Sequence, residues 1–160
     1  MVVQKLLMIS RDDILDVATG ENGVELYRKL ARFTRQGFHL LATAPQPDHW
    51  NDEHGGPDIA LLGPDSIRRR LADAGGILDG VYYVPRSLMT QRRNREQALH
   101  DMMQRFSARS DNCYLFSSSR KFVEAASDLG INARFLQRDV RLIDELDKLL
   151  LAQSEASGGD

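Results

Sequence analysis

A chain of 160 residues fits one compact domain and leaves no room for two sizeable cores. With 42% hydrophobic and 28% charged residues it has an ordinary globular composition, and a net charge of -2 lacks the basic surplus of a dedicated nucleic-acid binder. Cys113 is the single cysteine, which excludes a disulfide framework and a Cys-x-x-Cys zinc site and suits a reducing, cytoplasmic setting.

Taken in order, Lys5 to Ile9 is an apolar run of buried-strand length. Arg11, Asp12 and Asp13 come next, where a signal peptide would need small residues, so no export signal is expected. No apolar stretch nears the roughly 18 residues of a membrane span. Gly23 to Arg35 has helical periodicity, with Val24, Tyr27, Leu30 and Ala31 on one side and Gly37 just past its end. Phe38 to Ala42 is a second strand, closed by Thr43 and two prolines. From Gln46 to Gly63 polar and turn residues dominate, apart from Ile59 to Leu62. Pro64-Asp65-Ser66 opens a helix carrying Ile67, Leu71 and Ala74, which Gly75-Gly76 ends.

Val81 to Val84 is an aromatic and β-branched strand stopped by Pro85, with Tyr82 and Tyr83 pointing to opposite layers. Asn94 to Ser107 reads as a helix with Ala98, Met102, Arg105 and Phe106 on its apolar side. Cys113 to Phe116 is a strand, Ser118 to Leu129 a helix, Ala133 to Leu136 a last strand and Val140 to Ala152 a last helix. Short strands alternating with helices predict a three-layer α/β domain over residues 1–152, with 153–160 as a flexible tail rich in Ser, Ala and Gly. Ligands bind such sheets at the carboxyl ends of the strands, so Ser10, Thr43, Pro85 and Ser117 are expected to ring one site.

Several residues invite a chemical reading that their context does not support. The run Asp48-His49-Trp50-Asn51-Asp52-Glu53-His54 has metal-ligand types but no helical zinc spacing, and reads as a surface loop. Trp50 would be a lid, a partner contact or an anchor for its own loop. Ser10 lies in no Gly-x-Ser-x-Gly turn, and neither His39 in a strand nor His100 in a helix is placed as its base. Arg68-Arg69-Arg70 reads as an exposed helix face rather than an RNA site, and Met102, Met103 and Cys113 as core.

Motifs kept in order across Lys5 to Leu136 resemble the haloacid-dehalogenase-like phosphatase superfamily, within it the small heptose-bisphosphate and histidinol-phosphate phosphatases. The family's Asp-x-Asp strand end corresponds to Ser10-Arg11-Asp12, and its second motif to Leu40-Leu41-Ala42-Thr43. Gly76-Ile77-Leu78-Asp79-Gly80-Val81-Tyr82-Tyr83-Val84-Pro85-Arg86 is similar to a Gly-x-Ile-Asp-x-Val-Tyr-Tyr-Cys-Pro-His stretch. Arg92-Arg93-Asn94-Arg95 takes the place of the third-motif lysine, and Phe116-Ser117-Ser118-Ser119-Arg120-Lys121 that of a Gly-Asp-Ser-x-x-Asp motif. The resemblance implies a Rossmann-like fold with a mainly parallel sheet and a minimal or missing cap.

It also implies a reaction this chain is ill equipped to perform. The family uses a carboxylate nucleophile, a second aspartate as acid/base and Mg²⁺. Here the nucleophile position is Ser10, the metal-binding aspartate positions are Ser117 and Lys121, and Asp12 alone keeps its slot. The zinc loop is lost as well, with Val84 and Arg86 at its first Cys and His. No metal or cofactor is therefore expected. The leading expectation is a silent binding or structural module, for a phosphorylated small molecule or a protein partner, without nucleic acid or membrane. Thr43, Arg86, Arg95, Ser117, Ser118 and Lys121 would hold the phosphate, although the same arginines also read as a solvated rim. The alternative is a weak Mg²⁺-dependent phosphatase of a sugar phosphate or a histidinol-phosphate-like metabolite, using Asp12.

Overall fold

Leu6-Leu7-Met8-Ile9 forms a central strand because each of its side chains meets an apolar layer. A computed structural model describes residues 4–45, 67–84 and 92–157 of the chain. In it these four residues of β1 (Lys5–Ser10) have no solvent exposure. Leu7 and Ile9 enter one core, and Leu6 and Met8 enter a second on the other side of the sheet. Burial on both faces is what a parallel strand covered by two helix layers requires.

The chain continues through α1 (Arg11–Ala18), α2 (Gly23–Arg35), β2 (Phe38–Pro45), α3 (Ile67–Asp73) and β3 (Gly80–Val84). It ends with α4 (Arg92–Arg105), β4 (Cys113–Ser117), α5 (Arg120–Asp128), β5 (Asn132–Phe135) and α6 (Leu142–Ser157). The strands pair in parallel in the order β3-β2-β1-β4-β5. Residues of α1, α2, α3 and α6 fill the core around Leu7 and Ile9, and those of α4 and α5 the core around Leu6 and Met8. The expected three-layer α/β architecture is present. Chain order reverses at β1, whose neighbours β2 and β4 lead to opposite edges, and a crevice opens at the strand ends there.

Local differences from the sequence reading have identifiable causes. The polar run after β1 is a helix, α1, whose buried face needs only Ile14 and Ala18. Asp12 and Asp13 suit its first turn, where the helix dipole favours negative charge. α5 starts at Arg120, not Ser118, because Ser119 caps it by accepting a hydrogen bond from the Phe122 amide. Val140 lies outside α6, hydrogen-bonded to Gln137 across a tight turn. α6 runs on to Ser157, so residues 153–157 are helical rather than tail, and Gln153 accepts a hydrogen bond from Lys5 Nζ at 2.9 Å.

Arg68 and Arg70 do more than face solvent. Arg68 donates to the Leu78 carbonyl at 2.8 Å, and the Arg70 guanidinium lies 4.9 Å from the Tyr27 ring centre. Tyr82 and Tyr83 do pack against opposite cores, as strand alternation demands. His39 is packed rather than poised, with Nε2 2.7 Å from Gln4 Oε1 and its ring against Phe106. The Asp48–His54 run, Trp50, Ile59 to Leu62, the helix opening at Pro64–Ser66, and Pro85 and Arg86 lie outside the described residues.

Cys113 opens β4 with no solvent exposure. Burial, with a smaller contribution from the Asp111 carboxylate, pushes its thiol from 9.0 up to about 12. Below pH 9 the thiol is protonated folded or unfolded, and this contribution to stability is complete. As pH rises from about 9 towards 12 the unfolded chain releases a proton that the native state retains, so stability falls. At pH 8 native Cys113 is expected to react with a thiol reagent at least a hundredfold more slowly than in urea-unfolded protein, since its thiolate fraction is about a thousandfold lower. Equal labelling rates in the two states would contradict the burial.

Candidate functional site

β1 passes into α1 without a loop, and this places two sequence-predicted residues at the crevice mouth. Ser10 is the N-cap position of α1, but its side chain makes no capping hydrogen bond. Its strand partner in β2 is Thr43, and paired residues of neighbouring strands share one face of the sheet. β4 ends at Ser117 on the other side of β1. These ends enclose a crevice of about 230 Å³ lined by Ser10, Asp12, Thr43, Ala44, Pro45, Val84, Ser117, Ser118, Ser119 and Phe122.

Hydroxyls dominate this space. Thr43 and Ser117 are buried, 6% and 4% exposed, and Ser117 Oγ accepts a hydrogen bond from the Ser119 amide at 3.0 Å. Ser118 donates both its amide and its hydroxyl to Asp13 Oδ2, at 2.9 and 3.1 Å. The Ser118 donors, expected from sequence to hold a phosphate, are thus already taken by Asp13, and the Ser119 amide by Ser117. Asp12 is the single carboxylate lining the crevice among the described residues. Its side chain is 63% exposed and pairs with Arg11 at 3.0 Å.

Five expected site residues therefore meet: Ser10, Asp12, Thr43, Ser117 and Ser118. Two do not line the crevice. Arg95 is buried within α4, at 8% exposure, and Lys121 is exposed on the first turn of α5. The later start of α5 explains Lys121, because Phe122 next to it takes the inward position and is 3% exposed. Arg86 lies outside the described residues. Asp13 and Ser119 escaped the sequence reading. Asp13 meets Ser118 across 105 positions of chain, and its one local signal is a second acid in the first turn of α1.

Chemically, this arrangement can donate and accept hydrogen bonds and can position one carboxylate. Among the described residues lining the crevice no histidine stands beside Ser10, and the Asp12 carboxylate is the one candidate base. Among the described residues no group of three His, Cys, Asp or Glu side chains is assembled to hold a metal ion.

No family model and no curated protein sequence matches this chain. Solved structures do. D,D-heptose 1,7-bisphosphate phosphatase from B. bronchiseptica, complexed with magnesium and phosphate, superposes with a TM-score of 0.65 at 17% identity, over 93% of this chain and 99% of that one. An uncharacterised protein of Corynebacterium glutamicum gives 0.61 at 18% identity, over 91% and 94%. The D,D-heptose 1,7-bisphosphate phosphatase of Burkholderia thailandensis gives 0.50 at 18%, over 80% and 75%. The chain shares the fold of these structures, the Rossmann-like arrangement that the sequence resemblance implies.

Proposed function

We propose that this chain is a catalytically silent member of the phosphatase fold, a binding or structural module whose strand-end crevice takes a ligand without a metal ion. One observation carries the reading: among the described residues the crevice is lined by five hydroxyl side chains and one exposed, arginine-paired carboxylate. Magnesium is a hard cation that depends on carboxylate oxygens and near-octahedral geometry. Neutral serine and threonine hydroxyls are a poor substitute, so the donor set does not fit the ion held by the heptose phosphatase structure. A serine at the nucleophile position also needs a base, and among the described lining residues the one candidate is Asp12, which is held by Arg11.

A phosphorylated ligand would meet Thr43 Oγ1 and Ser10 Oγ directly, but would have to compete with Asp13 for the Ser118 amide. That competition favours a ligand bound through hydroxyl groups over one held mainly by its phosphate. The test is a screen with Mg²⁺ over sugar phosphates, histidinol phosphate and p-nitrophenyl phosphate. Wild type is expected to match a Ser10→Ala control. Turnover well above that control, lost on Asp12→Asn, would instead establish the weak phosphatase reading.

A further inference from the structure

On the far side of the Asp13–Ser118 hydrogen bonds lies a second, larger cleft of about 490 Å³, within the range of roughly 300–1,000 Å³ usual for small-molecule sites. One wall is acidic. Asp13 and Asp16 lie one helical turn apart on α1, and Glu21 stands in the turn to α2. The segment between β5 and α6 brings basic residues to the same cleft, Arg138 and Arg141.

The acidic and basic residues are carried on separate elements, each anchored by its own packing or backbone hydrogen bonds. α1 is anchored through buried Ile14 and Ala18. After β5, the Leu136 amide bonds the Ser117 carbonyl at 2.8 Å, and Gln137 and Val140 exchange two backbone hydrogen bonds, fixing the turn that presents Arg138. Arg141 stands one residue before α6, and its carbonyl accepts from the Glu145 amide. Among the described residues Asp16, Glu21, Arg138 and Arg141 form no ion pair or side-chain hydrogen bond with protein. Opposite charges that share a cleft without closing on each other leave room for a ligand that answers both.

We propose that this cleft binds a small zwitterion, a molecule with a primary ammonium at one end and a carboxylate at the other, in the chemical class of amino acids and short peptides. The ammonium faces Asp16 and Glu21, and the carboxylate faces the Arg138 and Arg141 guanidinium groups, whose planar donors suit it. Neither end alone satisfies both sets of charges. Separation of the charged ends is therefore the selective feature. The proposal does not rest on the silent-crevice reading, because Asp16, Glu21, Arg138 and Arg141 do not line the crevice, although Asp13 and Ser118 stand at the border of the two cavities.

The experiment titrates the full chain with ω-amino acids from glycine to 6-aminohexanoate, following backbone amide shifts at constant ionic strength. Hexylamine and hexanoate serve as single-charge controls. The expected result is saturable shifts confined to residues 13–22 and 136–142, with one chain length binding at least tenfold more tightly than either control. Asp16→Asn and Arg141→Gln, both at exposed positions, should each weaken that binding at least tenfold. Shifts absent from those residues at every chain length, hexylamine binding as well as the best amino acid, or binding unchanged in both variants would each overturn the proposal.

Discussion

Ser10→Asp combined with Ser117→Asp is expected to give the crevice an affinity for Mg²⁺ that wild type does not have. Both positions line the crevice beside Asp12, so the double variant places three carboxylates around one small space. A carboxylate about 5 Å from a divalent cation gains on the order of 6 kcal/mol at an effective dielectric near 20, before desolvation is counted. If a quarter of that survives for each added group, affinity rises about tenfold per carboxylate and about a hundredfold for the pair. Without metal the same charges repel, so the double variant should melt below wild type. Added Mg²⁺ should raise the melting temperature of the variant and leave wild type unchanged. A variant indifferent to millimolar Mg²⁺ would mean that the crevice lacks the geometry as well as the charge.

Phe33→Ala is expected to cost about 3–5 kcal/mol, a large part of the roughly 5–15 kcal/mol that holds a domain of this size together. Phe33 has no solvent exposure and meets Phe38 edge to face, with ring centres 5.2 Å apart and planes at 84°. It fastens α2 to the start of β2, the strand that delivers Thr43 to the crevice. Truncation leaves a cavity between helix and sheet that backbone on both sides prevents from collapsing. Urea unfolding should show a lower midpoint with an unchanged slope. A loss below about 1 kcal/mol would show that this layer is packed more loosely than its burial indicates.

The fold was legible because it is written in runs and periods. Four apolar residues in β1, alternating between two cores, specify a sheet covered on both faces, and the α2 boundaries come from helical spacing and Gly37. Helix α1 was not legible, since two buried residues in eight make almost no stripe. The strand-end hydroxyls were legible because a strand end fixes its residue's place whether a helix or a loop comes next. The cations were not. On a helix each residue turns the side chain by about 100°, so a start two residues later moves Lys121 to the solvent face. Nor could local sequence disclose Asp13, whose partner Ser118 is brought to it only by the parallel pairing of β1 with β4.

Asp79 shows the same division between local and tertiary information. Sequence places it before a strand, as part of a motif that resembles a phosphatase signature. In the structure its Oδ2 accepts the Leu40 amide at 2.8 Å, and its own amide donates to the Leu40 carbonyl at 2.9 Å. The residue ties the entry of β3 to β2, which is a structural reason for an aspartate there, separate from chemistry at the strand ends.

Calorimetric titration of the wild-type chain with Mg²⁺ near neutral pH tests the account most directly. No saturable heat is predicted up to several millimolar. Saturable binding at lower concentration, abolished by Asp12→Asn, would contradict it.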